Sequence, residues 1–283
     1  MERRKLDYLI IGQGLAGSWL AYELAARGKK ILVLNDETER ISTLKAAGLY
    51  NPITGRNMIK TWLADEIFQH LEERYRSLEQ KTGTRFLYPI PIYRPFVSIE
   101  EKNDWDGKIE NPTFMPYVDS LETKSIYDDI NDQLGGIILK KTGYVNLPEF
   151  ILAMRKYLVS IGAYQVGKFD YQQLVIEGSG ARYKEWDVSQ LIFCEGVNPS
   201  NHFWGDLPFK NVRGELIDVS CELKSEHIIN RGVFMIPKDG YFTVGSTYDH
   251  KILSFEPQEK GINDLSMRLG KLLNRSYKII EKK

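Results

Sequence analysis

Three glycines near the start of the chain have a spacing that suits a diphosphate group. They stand at the first, third and sixth places of the stretch Gly12-Gln13-Gly14-Leu15-Ala16-Gly17. A glycine at the first place allows a tight turn, one at the third lets a pyrophosphate approach the backbone, and one at the sixth lets a helix pack closely on a strand. Amide groups of Leu15, Ala16 and Gly17 would then face the phosphates from a helix N-terminus. The spacing therefore predicts a dinucleotide site.

The segments around the glycines predict the elements that must position such a site. Residues 6–11 form an apolar run that predicts a buried strand, residues 18–27 predict a helix, and residues 30–34 predict a second strand. The glycine spacing alone is a weak signal, but within a βαβ unit it is a strong one. The alternative is a glycine-rich turn without a ligand. It is disfavoured because three unforced glycines would cost roughly 1 kcal/mol each relative to alanine.

The end of the second predicted strand should carry the acid that binds the ribose hydroxyls of the nucleotide. Asn35 occupies this place, and Asp36 follows it. An asparagine amide can still accept and donate hydrogen bonds, and Asp36 could serve after a small shift of the chain. Because no arginine follows immediately, a 2′-phosphate is not favoured, and the expected cofactor is FAD or NAD.

Residues 41–56 form a segment without a clear hydrophobic period. It contains small side chains, hydroxyl groups and glycines. Such residues let the backbone approach a flat ligand closely. A mobile surface loop is the alternative, but Ala46, Ala47, Leu49 and Ile53 are poor choices for a solvated loop. The segment favours FAD, so an NAD-dependent dehydrogenase remains only as an alternative.

Four parts of the chain resemble the FAD-dependent amine and amino-acid oxidase superfamily, which contains D-amino-acid oxidase and glycine oxidase. They are the βαβ opening at 12–35, the loop at 42–49, residues 143–150 with 191–196, and residues 212–216 with 234–237 and 244–247. Together they cover nearly all of the chain. The resemblance implies an enzyme with FAD as its cofactor, which oxidises a small amine or amino acid by hydride transfer to the flavin.

The resemblance also implies which residues lie beside the cofactor. The loop from Ser42 to Leu49 is similar to the family's segment next to the flavin, and Cys194 and Gly196 stand where the family has a strand ending in Ala-x-Gly. Backbone near Tyr171 is expected to touch adenine, with a buried strand aromatic as the other interpretation. The predicted cofactor-binding residues are Gly12, Gly14, Leu15, Ala16, Gly17, Asn35, Asp36, Ser42, Thr43, Ala47, Gly48, Leu49, Tyr171, Cys194 and Gly196.

Two departures from the family pattern concern the substrate. Phe234 stands where glycine oxidase-like members commonly have a tyrosine that helps to hold the substrate. Family members also continue with a Gly-x-Arg-Pro stretch and a final glycine-rich segment, and nothing after residue 250 matches either. We therefore expect the chain to lack the family's C-terminal portion, and a truncated or inactive flavoprotein remnant is the alternative function. No catalytic residue is assigned. The polar candidates for a pocket wall, each better explained as a surface or structural residue, are Arg56, Tyr93, Arg94 and Tyr241.

Composition narrows the classes of partner. Lys plus Arg and Asp plus Glu both number 38 in 283 residues, so no global field favours nucleic acid. Two cysteines exclude a disulfide-stapled fold, and the histidines and cysteines lack metal-ligand spacing, so no metal is expected. No apolar stretch approaches the roughly 20 residues of a spanning helix. We expect a cytoplasmic protein with a small amine or amino-acid substrate and neither nucleic-acid nor membrane partners; the oligomeric state is not indicated.

The predicted fold class is α/β, with a Rossmann-like FAD-binding domain and an interleaved α+β substrate domain built on an antiparallel sheet. The expected FAD-binding domain comprises residues 1–83 and 143–205. The expected substrate domain comprises residues 84–142 and 206–283. Because the two alternate along the chain, no single linker separates them.

Overall fold

The computed structural model describes residues 3–37, 41–55, 57–197, 202–251 and 254–283. The α-helices in these residues are α1 Leu15–Ala26, α2 Ala64–Thr82, α3 Ile99–Lys108, α4 Leu147–Ser160 and α5 Glu259–Leu272. The strands are β1 Arg4–Ile11, β2 Ile31–Asn35, β3 Leu49–Tyr50, β4 Ile53–Thr54, β5 Ile59–Lys60, β6 Leu87–Pro89, β7 Ile92–Pro95, β8 Val118–Glu122, β9 Gly136–Leu139, β10 Gly143–Val145, β11 Tyr164–Val166, β12 Leu174–Glu177, β13 Gly180–Tyr183, β14 Trp186–Phe193, β15 Leu216–Ser220, β16 Ile228–Arg231, β17 Val233–Pro237, β18 Phe242–Gly245 and β19 Lys278–Lys282.

The chain forms two compact units whose segments alternate in sequence. The first unit comprises Met1–Ala46, Leu78–Phe86 and Asn146–Phe209, and the second comprises Ala47–Ser77, Leu87–Val145 and Lys210–Lys283. Residues 47–77 thus belong to the second compact unit, whereas the sequence-based division assigns them to the FAD-binding domain. Because compact units are defined by packing and not by ligand, the functional domain boundaries stay a prediction.

The first unit contains a six-stranded sheet in the order β11-β2-β1-β14-β13-β12. Strand β1 pairs in parallel with β2 and β14, and β11 pairs in parallel with β2. Ile10 and Val33 pack with Ala21 of α1 and Leu158 of α4, whereas Leu9 lies in an apolar cluster on the other face. Burial on both faces explains the continuous apolar run of β1. The predicted α/β class is confirmed.

The second unit contains an eight-stranded sheet in the order β19-β15-β18-β17-β16-β7-β9-β8. Its described pairings are antiparallel except for β7 with β16. Alternate residues of β17 face opposite sides, so Met235 packs with Leu265 and Leu269 of α5, and Ile236 packs with an aromatic-rich cluster that includes Tyr144. This sheet matches the predicted α+β substrate domain in its antiparallel pairing.

Smaller sheets complete the second unit. Strands β3, β10 and β6 form a three-stranded sheet, and β4 pairs with β5. Within the ranges given above, no helix combines the length and the apolar character needed to cross a membrane.

Candidate functional site

The glycine turn joins the end of β1 to the beginning of α1, and two of its glycines are required by the packing of the protein itself. Gly12 has a φ of +98°, and a Cβ there would lie 2.6 Å from the carbonyl oxygen of Cys194. A Cβ on Gly17 would lie 2.1 Å from the carbonyl oxygen of Gly12. Glycine at these two positions therefore reflects a close approach of backbone to backbone, as the sequence pattern predicts.

Gly14 differs from the other two glycines because an added Cβ there would press on a side-chain atom and not on backbone. Its φ of −83° is ordinary for any residue, and an added Cβ would meet only the Thr43 hydroxyl oxygen, at 3.3 Å. No side chain caps α1 at Gly14, its first turn carries no acidic residue, and both Leu15 and Ala16 are exposed. This exposed first turn, at which Thr43 Oγ1 accepts from the backbone N–H of Leu15 at 3.3 Å, fits the diphosphate of a dinucleotide.

Asn35 lies behind the turn and is almost fully buried, at 4% exposure. Its Oδ1 accepts a hydrogen bond of 2.7 Å from the backbone N–H of Gln13, and its Nδ2 donates to the Tyr164 hydroxyl at 3.3 Å. The side chain therefore holds the glycine turn in place. Asp36 follows it as a half-buried residue. Contact of Asn35 or Asp36 with a ribose stays a prediction.

Gln13 is a structural residue that sequence reasoning missed. Its side chain is fully buried, with Nε2 donating to the carbonyl oxygen of Ile151 at 2.9 Å and Oε1 accepting from Arg155 Nε at 3.1 Å. Arg155 also pairs with Glu37 Oε1 at 2.9 Å. The only sequence signal is an amide between two glycines, which does not identify its partners on a helix about 140 positions later.

Tyr164 closes this polar network at the end of β2. Its hydroxyl donates to Glu37 Oε1 at 3.0 Å while it accepts from Asn35. Burial raises the pKa of Tyr164, and the hydrogen bond to the Glu37 carboxylate raises it further. The phenol therefore remains a proton donor at neutral pH, which keeps the network ordered.

The segment after β2 brings one predicted residue to the turn. Ser42–Leu44 forms a 3₁₀ turn, and Thr43 Oγ1 accepts from the backbone N–H of Leu15 at 3.3 Å. Ser42 is exposed beside it. Thr43 is thus positioned at the beginning of α1, where the sequence predicts a cofactor contact.

Ala47, Gly48 and Leu49 belong to the second unit. A Cβ on Gly48 would lie 2.0 Å from the carbonyl oxygen of Val145, so packing against β10 already accounts for this glycine. Ala47 and Leu49 pack on the apolar cluster of the second unit. Their predicted role beside the flavin stays a prediction.

Cys194 follows β14 and lies directly against the glycine turn. Its backbone N–H donates to Ile11 O at 2.7 Å, and its carbonyl oxygen lies 2.6 Å from the position that a Cβ on Gly12 would take. Burial raises the pKa of the half-buried thiol, and the negative charge of Glu195 raises it further, so Cys194 is protonated at neutral pH. Gly196 follows with a φ of +64°. Both residues lie on the same side of the sheet as the turn, because parallel strands end together.

Tyr171 begins a second 3₁₀ turn, Tyr171–Gln173, so the interpretation as a strand aromatic is wrong. The chain does not enter β12 until Leu174. The ring lies parallel to Phe193 with centroids 6.2 Å apart, and edge-on to Phe169 at 5.0 Å. It is half-buried, and its contact with adenine stays a prediction.

The polar candidates for a pocket wall are placed mainly by structural contacts. Tyr93 is fully buried and donates to Asp132 Oδ2 at 2.8 Å. Arg94 donates to Gly55 O at 3.3 Å, and Arg56 lies outside the described residues. The carbonyl of Tyr241 accepts from Lys238 N in a turn. Across the part of the chain that the structure describes, no group of three or more His, Cys, Asp and Glu side chains could hold a metal ion.

Comparison with known proteins agrees with the geometry of the turn. The family described as FAD dependent oxidoreductase (DAO) matches residues 7–282 of the chain. A curated relative from Legionella pneumophila (strain Lens), the tRNA 5-methylaminomethyl-2-thiouridine biosynthesis bifunctional protein MnmC, is 24% identical over 282 residues, covering 90% of this chain and 39% of the relative. The protein of that name from Campylobacter jejuni subsp. doylei is 21% identical, covering 95% and 42%. The chain thus spans about two fifths of the length of these relatives.

Solved structures share the fold at low sequence identity. Glycine oxidase from Geobacillus kaustophilus superimposes with a TM-score of 0.76 at 17% identity, covering 98% of this chain and 81% of that one. Iminodiacetate oxidase from Chelativorans sp. BNC1 gives a TM-score of 0.73 at 16% identity, covering 98% and 82%. The match over nearly the whole length confirms the expected family and its cofactor, FAD, over the NAD alternative: the chain belongs to the DAO family of FAD dependent oxidoreductases.

Proposed function

We propose that the protein holds FAD on its glycine turn and oxidises a carbon–nitrogen bond of a small amine or amino acid. The observation that carries the proposal is the glycine at position 14, where a Cβ would require only a small shift of the Thr43 hydroxyl but the sequence has none. A diphosphate on the amides of the first turn of α1 accounts for that glycine. The similarity to glycine oxidase and iminodiacetate oxidase supports an amine or amino acid as the substrate.

When bound, FAD would accept a hydride from the carbon next to the amine, leaving an imine that water hydrolyses. The residues of this chain contribute position and electrostatics. Ala16 and Gly17 would offer backbone N–H groups to the phosphates, and the Leu15 N–H, which donates to Thr43 Oγ1 at 3.3 Å, would exchange that acceptor for a phosphate oxygen. Gln13 and Asn35 hold the backbone of the turn, and Asp36 is available for the ribose.

A spectroscopic experiment tests the proposal. The purified protein, or the protein reconstituted with FAD, should absorb at about 450 nm, and anaerobic addition of a suitable amine should bleach that band. A panel of glycine, N-methylglycine, iminodiacetate and proline covers primary and secondary amines. A colourless protein that cannot be reconstituted would support the alternative of an inactive remnant.

A second candidate substrate is an amine on a modified tRNA base. The name of the curated relatives, which refers to a methylaminomethyl group on thiouridine, favours it. In contrast, the chain carries equal numbers of basic and acidic residues, so its net charge does not attract nucleic acid. The bleaching assay separates the two candidates when tRNA carrying an aminomethyl uridine is added in place of the free amines.

A further inference from the structure

The carboxylate of Glu37 is held by two other elements just beyond the end of β2. Its Oε1 pairs with Arg155 Nη1 of α4 at 2.9 Å and accepts from the Tyr164 hydroxyl of β11 at 3.0 Å. The guanidinium of Arg155 also lies over the Tyr164 ring, 5.7 Å from its centre. The Glu37 side chain nevertheless keeps 37% of its surface exposed. An ordered carboxylate is therefore accessible from solvent.

Arg155 connects this carboxylate to the glycine turn. Its Nε donates to Gln13 Oε1 at 3.1 Å, and Gln13 stands between the first two glycines of the turn. Because β1 and β2 pair in parallel, the turn after β1 and the residues after β2 lie at the same end of the sheet. The adenosine ribose joined to a diphosphate on the turn would therefore lie near Glu37.

Asn35, the residue that the sequence pattern assigns to the ribose, is engaged by the protein itself. Its Oδ1 accepts from Gln13 N at 2.7 Å, and its Nδ2 donates to the Tyr164 hydroxyl at 3.3 Å. Only 4% of the residue is exposed, so both polar atoms have their partners in the interior. Glu37 instead presents a partly exposed carboxylate, and a carboxylate accepts hydrogen bonds more strongly than an amide oxygen does.

We propose that Glu37, and not Asn35, accepts the 2′-hydroxyl of the adenosine ribose of FAD. The inference rests on the FAD site proposed above and identifies a residue that recognises the cofactor there. Both protein contacts described for the carboxylate are to Oε1, so Oε2 is the oxygen assigned to the sugar. Arg155 and Tyr164 fix the carboxylate before the cofactor binds, which favours affinity because little ordering remains.

Removal of one hydroxyl from the ligand tests the contact without any turnover. The FAD-free protein is titrated with FAD and with the FAD analogue whose adenosine ribose is 2′-deoxy, and the change in flavin fluorescence reports binding. The wild type should bind FAD about tenfold more tightly than the analogue, because the analogue lacks a hydrogen bond to a carboxylate. Equal affinities for the two ligands would overturn the proposal.

Variants identify the residue responsible. In Glu37→Gln the preference for FAD over the analogue should fall below about threefold, because a neutral amide replaces the carboxylate. A distorted turn would weaken both ligands alike and leave the preference unchanged. Glu177→Gln is the matched control, since Glu177 pairs with Arg182 Nη2 at 2.8 Å in the β12–β13 hairpin of the same sheet, and it should keep the wild-type preference.

Asp36→Asn examines the neighbouring acid. It should keep the preference of the wild type for FAD over the 2′-deoxy analogue. A loss of the preference in Asp36→Asn but not in Glu37→Gln would overturn the assignment to Glu37.

The outcomes separate this inference from the proposed oxidation, because bleaching by amines is measured on the FAD-loaded wild type. If amines bleach the flavin but Glu37→Gln keeps the wild-type preference, the ribose contact is wrong and the oxidation stands. If Glu37→Gln loses the preference while no amine bleaches the flavin, the ribose contact stands and the oxidation is wrong.

Discussion

The three glycines of the turn look equivalent in the sequence, but their surroundings differ. Gly12 and Gly17 are held by contacts within the protein, because a Cβ on either would meet backbone at 2.6 Å or less. A Cβ on Gly14 would meet only a hydroxyl oxygen at 3.3 Å. Substitutions at Gly12 and Gly17 therefore test folding, whereas a substitution at Gly14 tests ligand binding.

We expect Gly14→Ala to preserve folding and to weaken FAD binding by at least about tenfold, because the methyl group occupies the surface that a diphosphate would approach. Gly17→Ala should instead destabilise the protein by roughly 1–3 kcal/mol through overpacking. Gly107→Ala, at an open position in α3, is the control: it should leave FAD affinity unchanged and should not lower stability, since alanine favours the helix by up to about 1 kcal/mol. Urea unfolding and FAD titration measure the two effects. Unchanged FAD affinity in Gly14→Ala would remove the main support for the cofactor site.

Asn35 provides a test of the support behind the turn. Asn35→Ala removes the acceptor of the buried Gln13 N–H and should lower the free energy of unfolding by about 1–3 kcal/mol. Asn274→Ala removes an exposed side-chain hydrogen bond and should change it by less than about 0.5 kcal/mol. Denaturant unfolding of both variants makes the comparison, and equal effects would contradict the role given to Asn35.

The pKa of the half-buried Lys238, which is lowered by burial, should make the stability of the protein depend on pH. Its pKa falls from 10.5 to about 7 on folding, so between these values the unfolded chain binds more protons than the native protein. The free energy of unfolding should therefore rise with pH across this window through this residue. Unfolding at pH 7.5 and 9.5 should show a smaller rise in Lys238→Gln than in the wild type. Identical slopes would show that Lys238 titrates normally.

At the scale of elements, the N-terminus of α5 is capped by the carboxylate of Glu215, the residue immediately before β15. Its first turn is capped through Gln258 N, which donates to Glu215 Oε1 at 2.7 Å. Glu215 is buried at 2% exposure beside β15 and also binds Arg213 Nη2 at 2.8 Å and the Thr247 hydroxyl at 3.1 Å. A Cβ on Gly261 would lie 1.4 Å from Glu215 Oε2, so this glycine makes room for the carboxylate.

Two glycines of α5 give a matched pair of variants. Gly261→Ala should lower stability by at least about 1–3 kcal/mol because the methyl group displaces Glu215. Gly270→Ala lies in the same helix with nothing within 4 Å and should raise stability by up to about 1 kcal/mol through helix propensity. Thermal unfolding shows the sign of each change; stabilisation by Gly261→Ala would contradict the cap.

Elements of strong local pattern could be predicted from the sequence, and contacts between distant segments could not. Residues 6–11 predict a strand and the glycines predict a helix start, and both lie in β1 and α1. One of the two interpretations of Tyr171 is a buried strand aromatic, but the chain makes a 3₁₀ turn there, in which the Asp170 side chain accepts from Gln172 N. The pairing of Gln13 with Arg155 depends on packing across 142 positions, which no local pattern records.

At the scale of the whole molecule, FAD binding should be visible as stability. A ligand that binds only the native state adds about 2.7 kcal/mol when its free concentration is 100 times its dissociation constant. We therefore expect FAD, but not NAD, to raise the melting temperature, by a smaller amount in Gly14→Ala. Differential scanning fluorimetry with each nucleotide measures this, and no shift with FAD would favour the inactive remnant.

The fully buried amide of Gln13 has a consequence for how a ligand would be received. It ties the loop between β1 and α1 to α4 through hydrogen bonds with Ile151 O and Arg155 Nε. A preorganised binding site loses little conformational entropy when its ligand binds, so more of the free energy of the contacts appears as affinity. The glycine turn should therefore have the same conformation in the FAD-free and the FAD-bound protein. Association with the nucleotide should then be fast, because it requires little rearrangement of the chain.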